Sequence, residues 1–329
     1  MEHFRTIVDI PPSKTKMGYH NKTMLIGSCF TENIGGRLEH FKLPVDVNPF
    51  GVIYNPVSVG NSLRALMDEK RFEEEDLNFA NQQWFSFYHH SRFSHSDLDE
   101  CLIGMNDRME KSSRFLREAD FLFITFGTAW VYELIESGEV VSNCHKLPAR
   151  DFNRYRLNVD EIVEMYKELI LSLSLWNPKL KIVFTVSPIR HWKDGAHGNQ
   201  LSKATLLLAV EQLVELFEQV CYFPSYEIVM DDLRDYRFFS EDMLHISPVA
   251  IDYIWKRFEE VYLSNETRKL MPNIEKVIRA SCHRPFNTKS DAHQKFLQNQ
   301  ILKVCEMMKN YPFLDLSEEK NNFEKNLLD

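Results

Sequence analysis

The sequence predicts an α/β fold, a doubly wound and mainly parallel sheet with helices on both faces. The first observation is a set of short apolar runs with the length of buried strands, at 23–27, 120–127 and 180–188. The second is that helical periodicity fills the segments between these runs. Strands that alternate with helices are typical of βαβ units, whose strands are parallel and covered on both faces. A chain of 329 residues with 44% apolar content can bury such a core.

The predicted elements follow this alternation along the chain. In order they are strand 23–27, a helix with Ile34, Leu38 and Phe41 on one face, a turn-rich extended stretch at 45–56, helix 57–68, a hairpin or inserted loop at 84–94, helix 105–119, strand 120–127, helix 158–175, strand 180–188, helix 199–220, strand 225–230 and helix 247–263. After about residue 264 the strand patterns cease and helical patterns follow. We therefore expect an α/β domain over residues 1–263 and a helical C-terminal extension over 264–329 that packs on it.

Composition argues against several classes of partner. The chain has 39 Lys and Arg against 48 Asp and Glu, a net charge of −9, so nucleic acid is not an expected partner. No stretch approaches the roughly 18 apolar residues of a transmembrane helix, so we expect no membrane insertion. The N-terminus lacks the pattern of a secretory signal and the six cysteines are scattered, which favours a cytoplasmic protein with reduced thiols. Nothing in the sequence specifies an oligomeric state.

The stretch GSCFTE at 27–32 places two nucleophilic side chains, Ser28 and Cys29, where the first strand turns into a helix. Ligands of doubly wound sheets bind at the carboxyl ends of the strands, and N–H groups on such a turn can stabilise an oxyanion. A helix N-terminus favours the thiolate, which predicts a lowered pKa for Cys29. The nucleophile also needs a base, and Asp242 with His245, three residues apart, supplies an imidazole that a carboxylate can orient.

These residues resemble a known family. IGSCFTENIG, then NPFGVIYNP, FGTAWVYE and SPIRHWKDGAHGNQLSKA, and finally DMLH at 242–245, are similar in content and order to the GSCFA family, which is placed among the SGNH (GDSL-type) hydrolases. The resemblance covers most of residues 20–290. It implies a three-layer, flavodoxin-like α/β sandwich and an acyl-ester hydrolase or acyltransferase. Carbohydrate O-acetyl esters are the substrate class that superfamily analogy suggests.

Setting GSCFTE under the GDSL opening of that superfamily puts Cys29 in the place of the nucleophilic serine. A shift by one residue would make Ser28 the nucleophile; we favour Cys29 because a thiol is intrinsically the better one. By the same resemblance, the N–H of Gly51 would complete the oxyanion hole. The third block departs from the pattern, because Ala129 stands where an asparagine donor is expected. The candidate replacements for that donor are Thr128, Asn48 and Asn33.

Two polar segments are candidate substrate-facing loops. SPIRHWKDGAHGNQ at 187–200 follows a predicted strand, and its Arg190 could hold an anionic or carbonyl group beside His191. His191, Asp194 and His197 lack the i, i+4 spacing of helical metal ligands, so we expect no metal. The aromatic stretch 84–94 would bring His90 and Arg92 to the substrate. No glycine-rich phosphate loop follows a strand, so we expect no cofactor.

Other functional classes compete with acyl transfer. A non-catalytic protein that binds carbohydrate or acyl ligands while keeping the fold is favoured by Ala129. An interaction protein would instead use the C-terminal helices as a docking surface. For the enzyme, the expected partner is a small-molecule or glycan ester.

Overall fold

The structure, a computed structural model, describes residues 6–328. The strands are β1 (Thr23–Gly27), β2 (Val45–Val47), β3 (Asn78–Ala80), β4 (Gln83–Phe85), β5 (Phe121–Phe126), β6 (Trp130–Leu134), β7 (Val140–Val141), β8 (Phe152–Arg156), β9 (Lys181–Val186) and β10 (Val220–Tyr222). The helices are α1 (Cys29–His40), α2 (Pro56–Met67), α3 (Leu98–Arg117), α4 (Val159–Trp176), α5 (Gly195–Leu216), α6 (Ser225–Glu227), α7 (Pro248–Tyr262), α8 (Asn265–Ser281), α9 (Asp291–Asn310) and α10 (Ser317–Lys325).

Five of the strands form one parallel sheet in the order β2-β1-β5-β9-β10. Numbered by appearance in the chain, this is the order 2-1-3-4-5 of a doubly wound, flavodoxin-like sheet. The predicted fold class is therefore confirmed. The strand order reverses between β1 and β5, and ligands of such sheets bind in the crevice beyond the carboxyl ends at that point. The segments after β1, β5 and β9 thus frame the expected site.

The sheet lies at the centre of the main core. Every residue of β1 and β5 is buried, which explains why both strands read as continuous apolar runs. The predicted apolar stripe of α4 is buried as well, and the hydroxyl of its Tyr166 donates to the carbonyl of Pro56 at 3.0 Å. Burying a large apolar side chain of this kind contributes roughly 1.5–3 kcal/mol. The core therefore fixes the strand ends on which the site is built.

Two predicted strand segments differ from the structure. The strand predicted at 225–230 is wrong, because this segment is helical in α6 and the π-helical turn Ile228–Asp232 that follows it. Burial of Ile228, Val229 and Leu233 suits a helical repeat, and the fifth strand is the shorter β10 just before. The hairpin near 84–94 lies earlier, as β3 and β4 joined by Asn81 and Gln82, both with positive φ.

A small antiparallel sheet, in the order β7-β6-β8, was missed by the sequence analysis. Its strands are short and half-buried, and polar residues interrupt their apolar alternation. In the register of β6 and β8, Tyr132 lies opposite Arg154, and Trp130 lies opposite Arg156. This sheet supplies one wall of the site.

The chain divides into two compact units. The first comprises residues 6–11, 22–36 and 45–256, and the second comprises 12–21, 37–44 and 257–328. Within the second, α8 buries Leu270, Ile274 and Val277 along one face. The packing of an extension over 264–329 on the preceding domain stays a prediction. The six cysteines form no disulfide, and no helix among residues 6–328 is long and apolar enough to cross a membrane.

Candidate active site

The turn after β1 requires glycine. Gly27 has φ +136°, and a Cβ placed there would lie 2.2 Å from the carbonyl oxygen of Thr125 on the neighbouring strand. The N–H of Gly27 donates to the side-chain oxygen of Asn48 at 2.8 Å, which ties the turn to the segment after β2. The chain can therefore bend sharply enough to begin α1 at Cys29 immediately afterwards.

Ser28 and Cys29 differ in their accessibility. Ser28 is 2% exposed, and its hydroxyl is buried with no hydrogen-bond partner among the described residues. Cys29 is partly exposed, and its Sγ lies 3.9 Å from the hydroxyl of Tyr54. Both residues border a cavity of about 430 Å³, which we call the site cavity. The thiol is the more accessible of the two nucleophiles.

The Cys29 thiol does not have the lowered pKa that its helix position predicted. Burial raises the pKa of Cys29 above its ordinary value, and the nearby Glu32 carboxylate raises it further. The contact with Tyr54 and the N–H at the start of α1 lower that pKa, but burial has the largest effect. The resting group at neutral pH is therefore a thiol, and it needs a base to attack.

The pH dependence of alkylation tests this thiol state. We expect the rate of Cys29 modification by iodoacetamide to rise with pH through an inflection above that of an ordinary cysteine, because the thiolate is the reactive species. The measurement is peptide-resolved mass spectrometry between pH 6 and 10, with the exposed Cys221 as internal control. An inflection below pH 7 for Cys29 would instead indicate a resting thiolate–imidazolium pair.

His245 and Asp242 form the hydrogen-bonded pair that their spacing predicted. Nδ1 of His245 lies 2.5 Å from Oδ2 of Asp242, while Oδ1 of Asp242 accepts the N–H groups of Leu244 and His245 at 2.9 Å each. These hydrogen bonds, with that to the imidazole the strongest, lower the pKa of Asp242 to about 2. With Nδ1 donating to the carboxylate, Nε2 is left to accept a proton. His245 lines the site cavity together with Cys29.

A second imidazole, His191, borders the same cavity. Its ring packs edge-on against Tyr54 with the ring centroids 5.5 Å apart. Burial, reinforced by the nearby Lys203, lowers the pKa of His191 to about 4. This ring is therefore neutral at pH 7 and is a weak base.

Lys203 is a fully buried lysine bonded to two strand-end segments that frame the site. Its Nζ donates to the carbonyl of Gly127 at 2.5 Å and to that of Ser187 at 2.6 Å, which joins the segments after β5 and β9. Burial, with Arg190 as a second cause, lowers the pKa of Lys203 to about 7. Lys203 thus fixes the relative positions of two strand ends at the cavity.

The small sheet forms the aromatic wall of the cavity. The guanidinium of Arg154 lies 4.3 Å from the ring centroid of Trp130 and 5.2 Å from that of Tyr132. Arg154 also forms an ion pair with Asp194, the last residue of the turn before α5. Cation–π contacts of this kind, once desolvated, contribute about 1–2 kcal/mol and hold the wall in place.

The candidate oxyanion donors differ in whether they already take part in other hydrogen bonds. The N–H of Gly51 donates to the carbonyl of Asn48 at 2.8 Å, so that donor is engaged in a turn. Thr128 lines the cavity, but its hydroxyl contacts Ser202 and accepts the N–H of Trp130. The N–H of Cys29, at the first position of α1, has no intrahelical acceptor and lies nearest the thiol.

Several predicted contacts are not brought to the cavity. Arg92 donates to the carbonyl of Asn48 at 2.6 Å and pairs with Glu32, and His90 caps the turn that contains Arg92. Asn48, Asn33 and Gly51 are likewise absent from the lining of the site cavity. No cluster of three or more His, Cys, Asp or Glu residues within 6–328 could hold a metal ion.

Tyr54, Asn55 and Lys203 are among the residues of the site that the sequence did not predict, as are the wall residues Trp130, Tyr132 and Arg154. Asn55 precedes Pro56 and caps α2 through its side-chain oxygen, and the Asn-Pro pair signals such a helix start. Lys203 falls on the apolar stripe of α5 with Leu206, which signals a buried lysine. No local pattern signals that Tyr54 lies beside the thiol.

Three solved structures resemble the chain at low similarity. A family 3 carbohydrate esterase from Clostridium thermocellum has 12% identity and a TM-score of 0.35, covering 77% of this chain and 98% of its own. A family 3 carbohydrate esterase from Talaromyces cellulolyticus has 11% identity and a TM-score of 0.35; the match covers 78% of this chain and 99% of that protein's chain. An acetyl xylan esterase from the rumen bacterium Butyrivibrio proteoclasticus has 11% identity and a TM-score of 0.36; the match covers 78% of this chain and 64% of that protein's chain. TM-scores this low carry no argument about activity, and no curated protein matches the sequence significantly.

Family sequence profiles match most of the chain. The profile described as the GSCFA family matches residues 22–258, which contain the turn at Cys29 and the pair Asp242 and His245. The profile described as the GSCFA domain protein, C-terminal domain, matches residues 274–329. Since the first match alone covers well over half of the sequence, the chain belongs to the GSCFA family.

Proposed function

We propose that the chain is an acyl-ester hydrolase or acyltransferase with Cys29 as nucleophile and His245 as general base. The observation that carries this proposal is that the accessible thiol and an imidazole held by Asp242 at 2.5 Å border one cavity at the switch point of the sheet. The burial of the Ser28 hydroxyl supports the thiol over the serine as the attacking group.

The proposed reaction has two steps. Nε2 of His245 takes the proton of the Cys29 thiol as Sγ bonds to the acyl carbon, and the N–H of Cys29 donates to the resulting oxyanion. The carbon–oxygen bond to the leaving alkoxide then breaks, and His245 gives that oxygen its proton. Water or an acceptor alcohol next attacks the thioester and loses its proton to His245. The carbon–sulfur bond then breaks, and His245 returns the proton to Sγ of Cys29. Asp242 keeps the imidazole oriented throughout.

A side-chain donor in this oxyanion hole is a further part of the proposal. Asn55 lines the cavity, and its side-chain oxygen caps α2 while one amide hydrogen donates to Ser58 at 2.9 Å. The second amide hydrogen is the candidate donor in place of the asparagine that Ala129 replaces. The substrate is a small-molecule or glycan ester, and carbohydrate O-acetyl esters are the class that the family resemblance suggests.

The alternative is a binding protein for carbohydrate or acyl ligands. The observation that favours it is Ala129, whose side chain is fully buried and whose N–H donates to Ser202 at 2.8 Å, so this residue adds no donor to the cavity. Loss of one oxyanion donor lowers the catalytic rate on the order of 100-fold, and a non-catalytic binding protein would tolerate that loss.

Trapping of an acyl-enzyme tests the proposal. The protein is treated with p-nitrophenyl acetate and its intact mass is measured within seconds. We expect one added acetyl group in the native chain and in Ser28→Ala, and none in Cys29→Ala, because the proposed bond forms at Sγ. Cys101→Ala, which removes a buried thiol remote from the cavity, is the matched control and should label normally.

Two results would contradict the proposal. Labelling that survives in Cys29→Ala and vanishes in Ser28→Ala would transfer the nucleophile to the serine. No labelling of any form, together with saturable binding of acetylated saccharides, would favour the binding protein.

A further inference from the structure

The charged residues that line the site cavity are mostly basic. They are Arg154, Arg190 and Lys193 against the single carboxylate of Asp194. The whole chain, by contrast, carries a net charge of −9. A basic cavity in an acidic protein concentrates a positive potential where the ligand enters.

One basic residue of the cavity is already neutralised. Arg154 pairs with Asp194, whose side chain is 1% exposed, and the guanidinium of Arg154 lies over the ring of Trp130. Because Asp194 is both buried and paired, it has no exposed charge to offer the other cations. Arg190 and Lys193 therefore remain as the uncompensated charges of the cavity.

Arg190 has no acidic partner within residues 6–328, although it is half-buried. It also borders a second, largely apolar cavity of about 570 Å³, whose carboxylates are Asp235 and Asp242. Each of these has another partner, since Asp235 pairs with Arg237 at 2.9 Å and Asp242 with His245 at 2.5 Å. A partly desolvated guanidinium without a counter-charge is costly, and an anionic ligand would compensate that cost.

Lys193 adds a second cation to the lining of the cavity, and its side chain is exposed. Its Nζ contacts the hydroxyl of Tyr132 at 2.9 Å and lies 5.2 Å from the centroid of that ring. Neither contact supplies a negative charge. Lys193 follows Arg190 by three residues in the segment between β9 and α5, so both cations belong to the segment that borders the reacting groups.

We propose that the ester attacked by Cys29 carries an anionic group, a carboxylate or a phosphate, that Arg190 binds with the assistance of Lys193. The identity of the reaction rests on the proposed function. The anion site, by contrast, is inferred from the charged residues that line the cavity. Guanidinium binds carboxylate and phosphate oxygens through two parallel hydrogen bonds, and the mobile ammonium adds a charge.

Two esters of equal chain length test the proposal kinetically. p-Nitrophenyl hemiglutarate carries a terminal carboxylate, whereas p-nitrophenyl valerate does not. We expect at least a tenfold higher kcat/KM for the hemiglutarate, and Arg190→Gln should remove this preference by raising KM for the anionic ester alone. Arg114→Gln, which removes a remote and 76% exposed arginine, is the matched control and should keep the preference.

Equilibrium binding makes the anion site testable without catalysis. Glutarate and inorganic phosphate are titrated calorimetrically into Cys29→Ala and into Cys29→Ala with Arg190→Gln. We expect saturable binding of at least one anion to the first protein, at least tenfold weaker binding to the second, and weakening by 0.3 M salt. Which of the two anions binds identifies the carboxylate or the phosphate source.

The two proposals fail in different ways. Arg190-dependent anion binding without turnover of either ester would leave the anion site standing and overturn the hydrolase. Turnover of both esters at equal kcat/KM, with no saturable binding of glutarate or phosphate, would overturn the anion site and leave the hydrolase.

Discussion

Replacing His245 with glutamine is expected to lower the rate of Cys29 acylation by a factor of about 10² to 10⁴, the usual contribution of a general base. The expectation follows from the thiol, whose pKa burial raises, so that little thiolate exists at neutral pH. Glutamine retains much of the shape of the ring but cannot take the proton. Cys29 would then react only through its small fraction of thiolate.

His191→Gln is the matched variant, because it removes the other imidazole of the cavity. The pKa of His191 is lowered to about 4, so this ring accepts a proton poorly at pH 7. We expect the variant to keep acylation within about tenfold of the native rate. The measurement is the burst of p-nitrophenol in rapid mixing, read alongside iodoacetamide modification at pH 10, where thiolate forms without a base.

The opposite order of the two acylation rates would make His191, and not His245, the general base. If His191→Gln lost the burst and His245→Gln kept it, the proton path would run from the thiol past Tyr54, which lies 3.9 Å from Sγ and packs against His191. Normal iodoacetamide reactivity at pH 10 in both variants shows that the thiol remains accessible, so a lost burst then reports lost proton transfer.

Three strands of the main sheet and the nucleophile turn were predictable because their signals are local. A buried parallel strand is mainly apolar on both faces; β1 and β5 are buried over their whole lengths, and β9 is buried after its exposed first residue, Lys181. The bend at Gly27 needs a residue without Cβ, and the sequence supplies one directly before Ser28. The pairing of Asp242 with His245 was predictable for the same reason, since three residues separate them.

The rest of the site depends on contacts between distant segments. Tyr54 reaches Cys29 across 25 residues, and Lys203 reaches the carbonyl of Gly127 across 76. The thiol pKa was predicted in the wrong direction for the same reason. The helix N-terminus is visible in the sequence, whereas the burial that outweighs it comes from the cavity walls.

His89 illustrates a buried titratable group whose effect on stability can be derived from its surroundings. It is 1% exposed, both ring nitrogens lack a hydrogen-bond partner among the described residues, and its ring lies 4.8 Å from that of Phe72 and 4.9 Å from that of Phe50. Burial, with a smaller contribution from His145, lowers the pKa of His89 to about 3. A neutral imidazole in an apolar cage resists protonation.

We expect the free energy of unfolding to fall as the pH drops from about 6.5 toward 3. In this window the unfolded chain binds a proton at His89, whose unfolded pKa is about 6.5, and the folded chain does not, so acid favours unfolding. The loss approaches about 1.4 kcal/mol per pH unit once the pH is well below 6.5, and it amounts to about 2 kcal/mol between pH 6.5 and 4.5. His89→Leu removes the titrating group and should flatten this part of the profile.

Urea unfolding at pH 7.5, 6.5, 5.5 and 4.5 measures the effect, with His197→Gln as the control because His197 is exposed on α5. The native chain and His197→Gln should lose stability together, while His89→Leu should lose about 2 kcal/mol less between pH 6.5 and 4.5. At pH 7.5 the leucine variant should be at least as stable as the native chain, because two unpaired ring nitrogens leave the core. Parallel profiles for all three proteins would mean that His89 becomes protonated in the folded state without unfolding it.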